Sequence, residues 1–577
     1  MGQCTERLRS DRSITLIFLH RVCELSEKNA LCMFYLDGSP PDFLAHKGCH
    51  YISGQGPLPK CSGTPGGQYR LNKWQRSFAS DILKKNNSIW YVERRLLMPF
   101  RITQLPSADK LCHTLSWPIL EQFYPRQRIE HLTESICGQT TRVRKLTLVL
   151  VVWVLICWHL YLRHSLGAVF LKLSSAQRWL GEEEPEPLPT RAAWTYRRKQ
   201  LGVRLLRALF EESCVPLATA DTPGAFAFGL RLMAIDGTLE DVNDTAANAQ
   251  YFGRIGEGKT SSPYPQLRCL YLVEAGTHAI VKVIAAPCRA SEQCLARGLL
   301  PALKPGMLVL VDRGFISGAL LEAMRARGAH VLGRLPQGVF THKEQVLPDG
   351  SYVTTLSPTT CQGLSAPMQV RVIEYLIDPQ VAQQREQVTP SRMQSHSSST
   401  NPQVRQVHRL ITTLLSPEQV PAQALCLCYH ERWEVEETID ETRNQQRLSQ
   451  QPLRSRSPKL VLQEFYALLL AHYAVRCLML RAAQSKGLDP DRISFTGAIQ
   501  VLGQAIVQSV FHSPELAVRA LKRICADLAS PGQLVTPRRL RFNCRVVKHI
   551  CTRFRRKRPE HHNLTFKRTS FADILLI

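Results

Sequence analysis

Acidic residues are scarce relative to basic ones in this chain. Its 577 residues include 47 Asp and Glu against 73 Lys and Arg, which gives a formal net charge of +26. Such a surplus suits a polyanionic partner, because each phosphate that a protein neutralises releases condensed counterions. Nucleic acid and an anionic membrane surface both fit this description. Charge therefore indicates a kind of partner and does not yet indicate a function.

The cysteines lack any regular framework. There are 19 of them, an odd number, at scattered positions, which argues against a secreted disulfide scaffold. The His and Cys residues between His46 and Cys61 lack the second Cys-x-x-Cys pair expected of a zinc site. Cys426 and Cys428, which the pattern puts at the end of a strand, have poor spacing for metal ligands. We expect buried, reduced thiols.

The sequence also lacks a secretory signal, since its first ten residues are polar and no cleavable apolar core follows promptly. One apolar run does imitate a membrane span. It extends from Leu146 to Leu162, 17 residues, which is the lower limit for crossing about 30 Å of hydrocarbon. Basic residues flank both ends, so there is no positive-inside asymmetry. We interpret the run as a buried core helix, with a membrane span as the alternative.

The N-terminal part of the chain divides at about residue 117. Residues 1–117 show no sustained periodicity, and one hypothesis is that Met98 is the true start and that the preceding sequence is mispredicted or disordered. A helical pattern occupies 118–180, followed by a Glu/Pro-rich linker. Five basic residues then lie on one amphipathic helix, which is consistent either with DNA contact or with a solvated charged face. They are Arg197, Arg198, Lys199, Arg204 and Arg207.

Short β-rich runs alternate with helical patterns between residues 232 and 335. Leu232 to Ile235 and Met307 to Val311 are continuously apolar, which is typical of buried strands. Strands that alternate with helices indicate an α/β sheet. Between Pro336 and Ala424, alternating polar and apolar residues predict antiparallel strands. We expect an α/β core interrupted by a β-rich insertion.

Two aspartates follow these apolar strands. Asp236 comes directly after Ile235, Asp312 comes directly after Val311, and each is followed by glycine within two residues. Strand ends are where α/β sheets assemble their sites, because side chains are exposed there above a rigid platform. One Asp-Gly is also a common turn. Two of them on buried strands of one sheet are stronger evidence for a site.

A helix predicted from residue 429 to residue 446 supplies a third acid. With an advance of 100° per residue, four of its side chains fall within a stripe about 60° wide. They are Tyr429, Arg432, Glu436 and Arg443. An acid, two guanidiniums and a phenol on one narrow face suit a surface that meets phosphate and metal together. An exposed, salt-bridged helix is the alternative. Glu434 and Glu437 point elsewhere, whereas Asp440 shares the face, so geometry alone does not choose Glu436 over it.

These three motifs resemble the insertion-sequence-four family of bacterial DDE transposases, whose catalytic core is RNase H-like. The first family motif, Asp-Gly-Thr, is present from Asp236 to Thr238, and the second, Asp-x-Gly-Phe/Tyr, from Asp312 to Phe315. The third, Tyr-x2-Arg-x3-Glu-x6-Lys, is matched by Tyr429, Arg432 and Glu436. Arg443 replaces its final Lys, which keeps the charge but changes the geometry of phosphate binding. The resemblance extends over about residues 118 to 560.

The resemblance implies an α/β fold: an RNase H-like mixed sheet with a β-rich insertion, plus a helical N-terminal domain. It implies the following division of the chain. Residues 118–180 form the helical N-terminal transposase domain, 190–335 and 425–505 the two parts of the catalytic core, 336–424 the β-rich insertion, and 506–577 a helical and basic C-terminal region. The last region contains ten Lys and Arg and no acid between Arg538 and Arg558, for which nucleic acid is the natural acceptor.

The resemblance also implies the chemistry. Asp236, Asp312 and Glu436 would be catalytic and would hold two Mg²⁺ ions, for which Mn²⁺ would substitute, to activate the attacking oxygen and stabilise the leaving one. Water would attack in the nicking step and a DNA 3′-hydroxyl in strand transfer. Tyr429 and Arg432 would contact DNA near the cleaved end, and Arg443 would contact a phosphate.

The expected partners are double-stranded DNA, as terminal inverted repeats and as target, and a second copy of the chain in a synaptic homodimer. We expect the protein in the cytoplasm, associated with the nucleoid and not with a membrane. Three alternatives stay open. They are a metal-dependent RNase H-like nuclease without strand transfer, an inactive DNA-binding relic of a transposase, and a membrane protein built on Leu146 to Leu162.

Overall fold

The computed structural model of the chain describes residues 115–138, 146–180, 187–256, 261–336, 339, 341–359, 361, 363–376, 407–447, 451–537 and 539. Met98, the residues between His46 and Cys61, and all of the basic stretch 538–558 except Arg539 lie outside the described residues.

Helices make up the described part of the chain before the sheet. They are α1 (Pro118–Glu121), α2 (Arg126–Cys137), α3 (Leu148–Cys157), α4 (Leu166–Leu180), α5 (Arg191–Leu201) and α6 (Arg204–Ser213). All ten residues of α3 are buried, and the indole of Trp153 meets that of Trp117 edge to face with ring centroids 5.7 Å apart. Thr147 caps the helix by accepting a hydrogen bond from the backbone N–H of Leu150 at 3.2 Å. The apolar run is therefore a core helix, as predicted.

The prediction of one basic amphipathic helix around residue 198 is wrong in two respects. There are two helices, because α5 ends at Gly202, which has a left-handed φ of 67°. Arg197 and Arg198 are also buried, at 7% and 6% exposure. Arg197 donates to the carbonyl of Leu146 at 2.6 Å, and Arg198 donates to the Gln463 side chain at 2.8 Å. Arg197 therefore joins two parts of the helical region, Arg198 holds that region to α12, and neither is a solvated surface charge.

The described strands form one sheet of ten strands. They are β1 (Phe226–Ala227), β2 (Leu230–Asp241), β3 (Gln266–Glu274), β4 (Ala279–Pro287), β5 (Met307–Val311), β6 (His330–Arg334), β7 (Gln345–Val346), β8 (Tyr352–Leu356), β9 (Met368–Leu376) and β10 (Val407–Thr412). The spatial order is β4-β3-β2-β5-β6-β10-β9-β8-β7, with β1 paired to β2 off this path. β2, β3 and β4 pair antiparallel, whereas β5 pairs parallel to both β2 and β6. This mixed α/β sheet confirms the RNase H-like core.

The β-rich insertion continues this sheet. β10 pairs antiparallel with β6, with Leu410 opposite Arg334 and Thr412 opposite Leu332. β9, β8 and β7 then follow as antiparallel neighbours. Strands on both sides of the junction bury apolar residues such as Val331, Val370 and Val372 in one cluster. Insertion and core therefore share a sheet and a hydrophobic core.

The other described helices flank or follow the sheet. They are α7 (Ala246–Phe252), α8 (Glu292–Arg297), α9 (Gly318–Ala326), α10 (Ala422–His430), α11 (Trp433–Asp440), α12 (Pro458–Gln484), α13 (Phe495–Gln508) and α14 (Pro514–Leu528). α12, at 27 residues, is long and apolar enough to cross a membrane. However, 89% of its most apolar window is buried inside the protein, and it is a core helix.

Two local predictions around residue 430 are wrong. Cys426 and Cys428 lie in α10 and not at the end of a strand. The helix predicted from residue 429 to residue 446 is also not continuous, because a turn at Glu431 and Arg432 separates α10 from α11, and Glu441–Gln445 is π-helical. The alternation of apolar residues in Leu-Cys-Leu-Cys-Tyr imitates a strand. Tertiary contacts override it, since the first N–H of α10, that of Ala422, donates to the Asp349 carboxylate at 2.8 Å.

Candidate active site

Asp236 and Asp312 lie side by side where two parallel strands separate. The pairing of β2 with β5 ends at Ile235 and Val311, and each aspartate is the next residue. Asp312 leaves β5, as predicted. Asp236 does not end its strand, because β2 continues to Asp241 along β3. The crevice beyond the ends of parallel strands is where open α/β sheets place their sites. The two carboxylates occupy this crevice.

Gly237 permits a close approach next to Asp236. A β-carbon at this position would lie 3.1 Å from Oε1 of Glu292 and 3.3 Å from Cδ1 of Leu270. Glu292 is held there by an ion pair with Arg268. A larger residue would therefore push against α8, the helix that carries Glu292. The backbone N–H of Gly237 also donates to the Asp236 carboxylate at 2.7 Å, which orients that side chain.

α11 brings Glu436 to the two aspartates. Arg432, at the turn before α11, lies between Glu436 and Asp236. Its Nη2 donates to Oε1 of Glu436 at 2.9 Å, and its Nη1 is 3.5 Å from Oδ2 of Asp236. The side chain of Arg432 is 8% exposed. The structure thus brings Asp236, Asp312 and Glu436 together, with one buried cation spanning two of the three acids.

The electrostatics of the site confirm that the three carboxylates are close. The pKa of Asp236 is raised to about 6, chiefly by burial and then by the charges of Glu436 and Asp312, against the Gly237 N–H and Arg432, which lower it. Burial alone would lower the pKa of Arg432, but Tyr429, Glu436 and Asp236 outweigh it and raise that pKa. The site therefore concentrates negative charge in a partly dry crevice.

The other stripe residues border this crevice. The Tyr429 hydroxyl is 3.3 Å from the carbonyl of Val311, the residue before Asp312, and burial raises the pKa of Tyr429 to about 12. Arg443 contacts β2 beyond Asp236, donating to Oγ1 of Thr238 at 3.2 Å, and is 3.9 Å from Oε2 of Glu240. Its side chain is 30% exposed, so part of it faces solvent beside the carboxylates.

Asp440, the rival third acid, is occupied within its own helix. Its carboxylate accepts hydrogen bonds from the side-chain amides of Asn444 and of Gln445, the latter at 3.4 Å. Glu436 is the acid that shares Arg432 with Asp236. Helical spacing alone left the choice between the two acids open, and the contacts of Glu436 agree with the choice that the family motif implies.

The donor set suits a hard divalent cation. Carboxylate oxygens are the ligands that Mg²⁺ and Ca²⁺ prefer, and the charges of Glu436 and Asp312 are among the causes that raise the pKa of Asp236, after its burial. Arg432 supplies one positive charge for three acids. The three side chains fit a divalent metal site, although any ion would compete with Arg432 for Asp236 and Glu436.

Sequence reasoning missed a second group of buried ionisable residues behind α11. His278, Glu434 and Asp491 offer ligand atoms within 4.8 Å of one another. Glu434 was interpreted only as pointing away from the site. His278 gave no local signal, because its partner Glu434 is 156 positions distant in the chain, and the partner of Asp491, Arg539, is also remote in sequence.

Comparisons with known proteins give two family matches, a similar curated protein and a similar solved structure. Residues 227–473 match the family described as "Transposase DDE domain", and residues 115–211 match "Insertion element 4 transposase N-terminal". The chain is 27% identical over 419 residues to "Transposase InsG for insertion sequence element IS4" of Escherichia coli strain K12, covering 71% of this chain and 87% of that protein. A solved piggyBac transposase synaptic complex with hairpin DNA is 12% identical, with a TM-score of 0.39, over 73% of this chain and 87% of that one.

Fold and matched domains together define the class: a DDE transposase, an enzyme of DNA transposition that acts by metal-dependent cleavage and joining of DNA. Both matched domains are those of insertion-sequence-four (IS4) transposases, to which the chain is similar. The membrane alternative finds no support, since α3 and α12 are both buried by protein.

Proposed function

We propose that Asp236, Asp312 and Glu436 are the catalytic carboxylates of this transposase and that they hold two Mg²⁺ ions, for which Mn²⁺ substitutes. Bound there, the ions would polarise the scissile phosphate and stabilise charge on the attacking and leaving oxygens. The observation that carries the proposal is the convergence of the three acids in the crevice between β2 and β5, with Arg432 between Asp236 and Glu436.

The chain's own residues position the DNA. Arg432 lies between Asp236 and Glu436, so a phosphate held at the carboxylates comes within reach of its guanidinium. Tyr429 borders the Asp312 side of the crevice and Arg443 the far side of Asp236. We assign Tyr429 and Arg432 to the DNA next to the cleaved bond and Arg443 to a neighbouring phosphate. Arginine suits that role, because its planar fork binds phosphate oxygens in pairs.

The reaction has two steps. Water attacks the phosphorus at the element's end and displaces the 3′-hydroxyl, which takes up a proton. That 3′-hydroxyl then attacks a phosphodiester in target DNA, joining the strands and releasing a new 3′-hydroxyl. Double-stranded DNA is thus the partner twice, as terminal inverted repeat and as target. We place the reaction in the cytoplasm at the nucleoid, within a homodimer that holds two ends. The net charge of +26 supports binding to this much DNA.

The test is cleavage of DNA that carries the element's own terminal repeats, with Mg²⁺ or with chelator. Glu436→Gln should lower nicking at the repeat boundary at least about 100-fold, which corresponds to ~2.7 kcal/mol of lost transition-state stabilisation. Asp440→Asn, which removes a carboxylate from the same helix face, is the matched control and should retain activity. Loss of nicking in the control and not in Glu436→Gln would refute the assignment. Nicking without joining to target would favour a nuclease.

A further inference from the structure

Behind α11, ionisable side chains form a buried cluster, here called the anchor cluster. Its members come from the β3–β4 turn, α11, the π-helical segment after it, α12, and the turn before α13. They are His278, Glu434, Glu441, His472, Arg476 and Asp491, each no more than 9% exposed. Burying charge is costly unless the charges are paired and hydrogen-bonded, so the cluster needs an explanation in either stability or function.

The cluster holds α11 through Glu434 and the π-helical segment after it through Glu441. Oε2 of Glu434 lies 2.6 Å from Nε2 of His278. Glu441 accepts from Nε of Arg476 at 2.9 Å and lies 3.0 Å from Nε2 of His472. Oδ1 of Asp491 is 3.4 Å from the same His278 nitrogen as Glu434. The contacts tie α11 to the sheet through His278 and to the central core helix α12 through Arg476.

The backbone at His278 departs from ordinary geometry to make this contact. Its φ is 57°, in the left-handed region that non-glycine residues seldom adopt. Such conformations persist only where the surrounding structure enforces them, and they concentrate at functional sites. Here the unusual turn carries the imidazole inward, where it is completely buried against Glu434.

The anchored acids lie opposite the catalytic face. With an advance of about 100° per residue, Glu434 and Glu441 fall within about 20° of each other, and about 140° to 160° from Glu436. One side of the helix therefore faces the crevice while the other is held by ion pairs. Glu434 is only two residues from Glu436, so a shift at one is transmitted to the other within a single turn.

An ion at the anchor cluster is the competing interpretation of its three close ligand groups. Protein groups already hold the two acids of this set, however. Arg539 lies 2.8 Å from Oδ2 of Asp491, and Oε2 of Glu434 lies 2.6 Å from Nε2 of His278. The guanidinium of Arg476 contacts the other ring nitrogen of His278. These contacts favour a network of ion pairs over a metal centre.

We infer that the anchor cluster is a positioning device for Glu436: His278 and Arg476 fix α11 from behind so that Glu436 meets the cation site with its carboxylate in place. This inference rests on the proposed role of Glu436. Groups that orient metal ligands without touching the metal typically matter by about 10- to 100-fold in metal affinity. The cluster should therefore affect metal binding more than DNA binding.

The test compares Glu434→Gln and His278→Asn with wild type, in the full chain. Gln keeps the shape of Glu434, and Asn is among the residues that tolerate a left-handed φ. Glu437→Gln makes the same charge change on the exposed side of the same helix and is the matched control. Three quantities are measured: thermal unfolding, binding to terminal-repeat DNA in chelator, and Mn²⁺ binding by calorimetry.

We expect both cluster variants to fold, to bind DNA within about twofold of wild type, and to bind Mn²⁺ about 10- to 100-fold more weakly. The control should match wild type throughout. Wild-type Mn²⁺ affinity in folded Glu434→Gln and His278→Asn would overturn the inference. So would an equal loss of DNA binding, since that indicates a general structural defect. If only one variant folds, that variant decides.

Two further measurements separate this inference from its neighbours. Glu436→Gln is measured in the same series. If Glu436→Gln binds Mn²⁺ as tightly as wild type, the proposed function fails. If Glu436→Gln binds Mn²⁺ weakly while Glu434→Gln binds it as tightly as wild type, only the positioning role fails. A chain with Asp236, Asp312 and Glu436 all changed to amides should bind no Mn²⁺ tightly. One tight ion that remains there and is lost on adding Glu434→Gln would show a second metal site and overturn the positioning role.

Discussion

Metal binding by this transposase should depend on pH because of the environment of Asp236. Its pKa is raised from an ordinary 3.8 to about 6, chiefly by burial and then by the charges of Glu436 and Asp312. A carboxylate must be deprotonated to bind a cation. Protons therefore compete with the metal once the pH falls to about 6, well above the range where an ordinary aspartate would take one up.

The magnitude follows from that pKa. The apparent Kd scales as one plus ten raised to the difference between pKa and pH. With a pKa of about 6, lowering the pH from about 7.5 to about 5 multiplies the Kd by roughly 10. With the ordinary value of 3.8, the same change alters the Kd by about 6%. The two cases are easily distinguished.

The assay is Mn²⁺ titration calorimetry at several pH values and constant ionic strength. Asp440→Asn should keep the full pH dependence, because Asp440 lies outside the crevice. Arg432→Gln should move the dependence to higher pH, because Arg432 lowers the pKa of Asp236. A change of less than about twofold in the wild-type Kd over this pH range would refute the reasoning. A tenfold change in Kd that disappears in Asp440→Asn would show that the proton binds Asp440 and not Asp236.

The remaining predictions concern stability and DNA affinity. Asp349→Ala should lower the free energy of unfolding by about 3 kcal/mol in urea titrations, because it leaves the fully buried Arg371 without its ion pair. Lys343→Ala, which breaks an exposed ion pair 3.0 Å long, should cost at most about 1 kcal/mol, and equal losses would contradict the argument. Arg198→Gln should lower stability and leave the salt dependence of DNA binding unchanged, whereas Arg443→Ala should reduce the magnitude of its log-log slope by about one. A smaller slope in Arg198→Gln and an unchanged slope in Arg443→Ala would instead assign the DNA contact to Arg198.

The positions of the proposed catalytic residues could be predicted from the sequence better than the geometry around them. Asp312 follows a continuously apolar strand, and that local pattern is reliable because β5 is buried on both faces. Asp236 follows an equally apolar run, yet its strand continues. The difference arises from the partners: β5 stops at Val311 while β3 continues alongside β2. One strand's sequence does not contain this information.

The helix that carries Glu436 shows the same limit. Helical periodicity placed Tyr429, Arg432 and Glu436 on one face, and all three border the crevice despite the turn between α10 and α11. Periodicity could not show that Glu434 is buried, because its partner His278 is 156 positions away and reaches it only through a left-handed turn. Arg198 likewise looked like a surface charge until the partner at Gln463 became visible.

The continuity of the sheet bears on how such a chain can be shortened. β10 of the insertion covers the side of β6 that faces away from β5. Removing residues 336–421 would leave His330–Arg334 as an open edge, with Val331 and Leu332 at its centre and no partner for its N–H and C=O groups. Uncovered apolar edges pair with other chains and aggregate. The insertion therefore also acts as a protective border for the catalytic core, and a trimmed core would need a charged or proline-bearing replacement strand to stay monomeric.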